Sequence, residues 1–164
     1  MKYTVLCVLV SLVIVAAASA QTKRSFSGKC AKPDTMQSVP AGDVEGHMFM
    51  IQQGKCTVET GHEIGGMKSK EGAFSEHDEA SGNHTKGWGV YVETLDNGDK
   101  IFYNYQGSGT TKDGALVVSN DKWQVSGGTG KMKGVKGTGG CKLTGNASGG
   151  ADYACTGEYT LPAM

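Results

Sequence analysis

Arginine is almost missing from this sequence. Arg24 is the only one in 164 residues, and the 16 basic side chains are matched by 16 acidic ones. Nucleic-acid-binding domains present a basic, arginine-bearing face, so that class of partner is set aside. Beyond residue 20 there is no apolar run long enough to cross a membrane. Residues 21–164 nowhere sustain apolar side chains at i, i+3, i+4 and i+7, so amphipathic helices are not expected. No two cysteines are spaced C-x-x-C, which argues against a four-thiolate metal knuckle. H-E-x-x-H and G-x-S-x-G are missing too, so neither a zinc-protease helix nor a nucleophile elbow is marked.

What is present starts with a leader. Residues 1–20 join a basic start at Lys2 to an apolar run and then to Ala18-Ser19-Ala20, an A-x-A cleavage site. This reads as a signal peptide, with an exported mature chain that begins at Gln21. Cys7 leaves with the leader. Residues 21–164 are the length of one domain. They keep Cys30, Cys56, Cys141 and Cys155, an even set that in an exported chain reads as two disulfides. Of the three pairings, the local one, Cys30–Cys56 with Cys141–Cys155, is preferred. Each bridge would add roughly 3 kcal/mol through the chain entropy of the unfolded state.

Short alternating runs broken by glycine dominate the rest. Between Lys86 and Leu95, Trp88, Val90 and Val92 face one way and Tyr91 and Glu93 the other. Asp96-Asn97-Gly98-Asp99 then reads as a type I′ hairpin turn, and Lys100–Gln106 returns with Ile101, Tyr103 and Tyr105 on one face. Further strands are expected at residues 24–30, 46–59, 72–80, 114–128, 133–145 and 150–162. The last two form a hairpin that sets Cys141 beside Cys155. About eight strands with short turns predict an all-β domain closed into an antiparallel barrel, with a two-sheet sandwich as the alternative.

The stretch from Ser126 to Gly140, SGGTGKMKGVKGTGG, superficially suggests a phosphate cradle. It fails as one: Val125 stands where the first glycine of G-x-x-x-x-G-K-[ST] belongs, Met132 stands where the hydroxyl belongs, and no helix follows. The expectation is a barrel corner followed by a glycine-relaxed strand with solvated lysines.

Gly127 to Gly137, GGTGKMKGVKG, resembles the G-G-T-G-x-F-x-x-A-x-G signature of the allene oxide cyclase and dirigent barrels, with Met132 in place of the aromatic and Val135 in place of the alanine. Small exported bacterial proteins of unassigned function carry similar stretches and end, as here, in GEYTLP (157–162). The resemblance implies an eight-stranded calycin-like barrel and a bacterial source, so that export would lead to the periplasm or the exterior. It carries over no catalytic residue.

Several side chains could carry chemistry. Phe49, Trp88, Tyr91, Tyr103, Tyr105, Trp123 and Tyr153 lie on expected strands and would line an apolar pocket if the interior is open; otherwise they are the core. His62, Glu63, His77, Asp78, Glu79 and His84 crowd into one region; of these, His62, His77, Glu79 and His84 are weak metal candidates, but without a ligand spacing the region reads as a solvated acidic loop and strand, so no metal and no cofactor is expected. Met48 and Met50 with His47 could suggest copper, but alternating methionines more often fill a core. Asn83 and Asn146 begin N-x-[ST] triplets and read as turn residues. The function expected is therefore a non-enzymatic barrel binding a small apolar ligand or serving the cell envelope. The alternative, implied by the resemblance, is a cofactor-free isomerase or cyclase.

Overall fold

The structure, a computed structural model, describes residues 21–161; the expected leader lies outside them. Ten strands follow one another: β1 Thr22–Cys30, β2 Thr35–Pro40, β3 Met48–Thr60, β4 Glu63–Ile64, β5 Met67–Ser81, β6 His84–Leu95, β7 Lys100–Lys112, β8 Ala115–Gly128, β9 Lys136–Gly145 and β10 Ala151–Thr160. A single 3₁₀ turn, Gly130–Met132, interrupts them, and no α-helix occurs among the described residues. All pairings are antiparallel. The chain of neighbours β1-β10-β9-β8-β7-β6-β5-β3 returns to β1, so eight strands close a barrel and leave no open edge around its girth. Closure decides against the sandwich. The two short extra strands lie outside the ring: β2 prolongs the row of β1 along β3, and β4 folds onto the start of β5.

Alternation sets the two faces, as a period of two requires. On β6, Tyr91, Glu93 and Leu95 point inward and Trp88 and Val90 outward; on β7, Ile101, Tyr103 and Tyr105 point inward. The β6–β7 turn differs from the expected type I′. Gly98 has φ 87°, Asn97 keeps an ordinary negative φ, and Leu95 N–H reaches Asp99 C=O at 2.8 Å. This is a three-residue loop with a left-handed glycine at its exit. The I′ geometry occurs instead at Asp113-Gly114, where φ is 52° and 77° and Lys112 pairs with Ala115.

Both disulfides form with the local pairing, Cys30–Cys56 and Cys141–Cys155, between residues directly opposite on neighbouring strands. Their sulfurs lie in the barrel core beside Tyr153.

One end of the barrel is sealed. Ile64, Met67, Leu95, Ile101, Val125, Met132 and Val135 pack there under Tyr103, Trp123 and Tyr159. The glycine-rich run supplies part of this seal, which corrects its expected form. The strand does not begin at Lys133; residues 130–135 fold over the barrel end and bury Met132 to 1% exposure, and β9 begins at Lys136. Asp99 holds the fold by accepting the Lys131 N–H at 2.9 Å. Lys131, Lys133 and Lys136 are exposed. Gly139 and Gly157 serve a different purpose, because a Cβ on either would overlap the Trp123 ring that lies across them.

At the other end β3, β5, β6, β7 and β8 outrun β1, β9 and β10. The last pair between β8 and β9 is Val118 with Thr144, so Ala115–Val117 run on past β9 with β7 as their strand neighbour. The barrel therefore opens into a scoop on this side.

Candidate functional site

The structure separates the seven aromatic candidates. Tyr91, Tyr103, Tyr105, Trp123 and Tyr153 stand on inward positions. Phe49 and Trp88 stand outward and drop out of any interior lining, because each is one residue out of phase with the inward Met48, Met50, Gly87 and Gly89. Most of the inward rings are packed. Tyr103 meets Trp123 edge-on at 5.5 Å, Trp123 stacks on Tyr159 at 5.4 Å, and Tyr91 lies 5.9 Å from Tyr103.

Within this packed half lies a polar cluster. Glu93 is 1% exposed and accepts a hydrogen bond from Tyr103 Oη at 2.6 Å. His62 Nδ1 lies 3.1 Å from Glu93 Oε1, off the line of a hydrogen bond, and His62 Nε2 lies 3.3 Å from Tyr159 Oη. Phe26 stacks on the imidazole at 3.8 Å. Burial holds the His62 pKa below its usual range against the opposing pull of Glu93, so the ring is neutral. Sealed from the open end by stacked rings, this cluster organises the core.

The open half is built differently. Gln52 on β3 spends both amide N–H groups on carboxylates, donating to Glu76 Oε1 at 2.7 Å and to Asp78 Oδ2 at 2.7 Å. Tyr105 Oη donates to Glu76 Oε2 at 2.7 Å. Asp121, hydrogen-bonded by Ser119 Oγ, is the third acid. Glycine makes the room: a Cβ at Gly87 would overlap the Asp78 carboxylate, and one at Gly107 the Asp121 carboxylate. No lysine, arginine or histidine forms an ion pair with these three acids among the described residues. Burial, reinforced by Asp78, pushes the Glu76 carboxyl up to about 7. Asp78 and Asp121 are also raised, first by burial. Burial raises Tyr105 as well, with Glu76 adding to the effect, so it remains a hydrogen-bond donor at ordinary pH.

Above this layer the scoop encloses a half-open cleft of about 700 Å³. Its walls are Met48 and Met50 from β3, Ala80 from β5, Thr110, Thr111 and Lys112 from β7 and Val117 from β8, with Gly46 and the 82–83 and 113–114 turns completing the lining. Met50 is the next inward residue after Gln52, and Ala80 the next after Asp78, so the cleft and the acids share strands and face.

The remaining candidates do not converge. His47 faces outward between Asp43 at 2.7 Å and Glu79 at 3.3 Å, away from Met48 and Met50. His77 and Glu79 share the outer face, His84 is exposed at the start of β6, and His62 is inside. No group of three His, Cys, Asp or Glu side chains is arranged for a metal ion among the described residues.

Sequence reasoning missed Gln52, Glu76, Ser119 and Asp121, and met Asp78 only as one of the His and carboxylate residues weighed for a metal. A signal existed in the strand pattern: Glu76 and Asp78 alternate in phase with Phe74, while Gly87 and Gly89 on β6 and Gly107 and Gly109 on β7 stand two apart, the first two directly opposite these acids. Acidic residues in phase with a buried aromatic, facing glycines, mark a polar interior.

An eight-stranded antiparallel barrel with one sealed and one open end defines the class of protein. Comparison with solved structures agrees. A pterocarpan synthase dirigent protein superposes with a TM-score of 0.51 at 15% identity, over 88% of this chain and 97% of that one. A second pterocarpan synthase dirigent protein gives 0.49 at 14%, covering 98% of both chains. A Shewanella oneidensis protein of unknown function from the DUF3224 family gives 0.46 at 14%, over 88% and 98%. The first of these superpositions gives the chain a dirigent-like fold. No family model and no curated protein matches the sequence.

Proposed function

We propose that this is an exported, disulfide-stabilised barrel that binds a small, largely apolar ligand in its open end. The cleft carries the reading. Its volume lies in the range of small-molecule sites, most of the surface it exposes is apolar, and the hydrogen-bonded Gln52, Glu76 and Asp78 follow one inward position deeper on two of its strands. The two disulfides fit an oxidising compartment, and no helix among the described residues is long and apolar enough to cross a membrane. Titration with the neutral fluorophore Nile red tests it. Saturable one-to-one binding that Ala80→Trp abolishes by filling the cleft is the expected outcome. Binding untouched by A80W, or none, contradicts it.

One observation favours a second reading, a cofactor-free isomerase or cyclase. A buried carboxyl that titrates near neutrality, hydrogen-bonded to a tyrosine, suits proton transfer. A bound ligand with an acidic C–H, held in heavy water, would then gain deuterium with the wild type and not with Glu76→Gln. Equal uptake, or none with either, removes this reading and leaves the binding protein.

A further inference from the structure

Met48 and Met50 are the largest apolar side chains lining the cleft, with Ala80 and Val117 as the smaller ones. They stand two apart on β3 and belong to one wall. Both are half-buried, and the cleft is half-open, so a molecule the size of hydrogen peroxide reaches their thioethers. The other methionines of the described residues are placed differently. Met132 is 1% exposed and Met67 8%, and the Met67 sulfur also accepts the Asn97 amide N–H at 3.0 Å. Met36 is 61% exposed on β2 and lies outside the lining of the cleft.

We propose that Met48 and Met50 are oxidation sites, and that their conversion to sulfoxides closes the cleft to an apolar ligand. The oxidant is hydrogen peroxide. The thioether sulfur gives an electron pair to one peroxide oxygen, so an S–O bond forms and the O–O bond breaks. The departing oxygen takes the proton of the transferred hydroxyl and leaves as water. Sulfur is oxidised and the peroxide is reduced. The product is a polar side chain where a flexible apolar one stood. An apolar ligand laid on that wall would strip the sulfoxide oxygens of water and offer them no donor in return, which costs free energy. Two neighbouring sulfoxides on one wall change most of the apolar side-chain surface that the cleft offers. The effect on binding rests on the reading of the cleft as an apolar ligand site; the access of peroxide to the two sulfurs does not.

The test treats the mature chain with graded hydrogen peroxide, clears the excess with catalase and titrates with Nile red, while peptide mass spectrometry locates the sulfoxides. Met36, Met48 and Met50 are expected to oxidise and Met67 and Met132 to stay reduced. Nile red binding should weaken by about tenfold or more, in step with the sulfoxide at Met48 and Met50. Met36→Leu should respond to peroxide as the wild type does. Met48→Leu/Met50→Leu conserves volume and has no sulfur in the cleft, so its affinity after peroxide should equal its affinity before. An untreated wild type that fails to bind Nile red removes the ligand reading and the effect on binding with it, while the peptide masses still score the two oxidation sites. With binding in place, Met48 and Met50 that stay reduced while Met36 oxidises overturn the proposal. So does full sulfoxide at both with unchanged affinity, or an equal loss of affinity in M48L/M50L.

Discussion

Glu76 sits between a hydroxyl donor and a second carboxylate, and burial raises its pKa to about 7. The consequence for stability has a definite sign. Between about pH 4.5 and 7 the folded barrel holds a proton that the unfolded chain releases, so stability falls as pH rises through that window and levels above it. The full effect is on the order of 3 kcal/mol. Asp78 and Asp121, raised by burial, add slope of the same sign starting at lower pH. Glu76→Gln keeps an oxygen to accept the Tyr105 hydroxyl and loses the titration. Its urea midpoint should vary less between about pH 5 and pH 8 than that of the wild type; identical profiles would contradict the burial of this carboxyl. Tyr103→Phe probes the sealed end, because it strips a donor from Glu93. It should cost roughly 1–3 kcal/mol in the same unfolding experiment and leave Nile red binding at the open end unchanged.

Among the elements, residues 130–135 are the instructive segment. Its sequence is glycine and lysine with two apolar residues, Met132 and Val135, and those two do the packing. Met132→Ala should destabilise by roughly 2–5 kcal/mol, while Lys131→Ala should stay within about 0.5 kcal/mol, as read by thermal melts of the two variants. Equal effects would mean that the segment does not seal the barrel. The long strands were legible in the sequence because their alternation is a local property: β6 and β7 follow from Trp88, Tyr91 and Tyr103 alone. Strand β2 and this turn were not. All six residues of β2 are exposed, so nothing alternates, and Met132 is buried by a barrel end that exists only after eight strands close. Turn chemistry was half legible. Asn97-Gly98 marked a turn, but the I′ geometry falls at Asp113-Gly114, because the turn type depends on the number of residues between paired positions.

For the molecule as a whole, closure creates the distinction that no single strand contains, a packed end and an open end. The aromatic residues named from the sequence fall mostly in the packed half, because large rings on inward positions fill a narrow barrel. The candidate site falls in the other half, where glycines on β6 and β7 leave space and Glu76, Asp78 and Asp121 occupy it. Of these, Asp78 was read as part of a solvated acidic stretch and the other two were passed over, since only the register shows which acids turn inward. Whether the open end holds a small ligand can be read without choosing a probe, by native mass spectrometry of protein purified from its own source. A non-covalent adduct on the order of 300–500 Da, the size such a cleft accommodates, is expected on the wild type and should be missing from A80W. A wild type that carries only the polypeptide mass, or an adduct that A80W retains in full, would contradict ligand binding at this end.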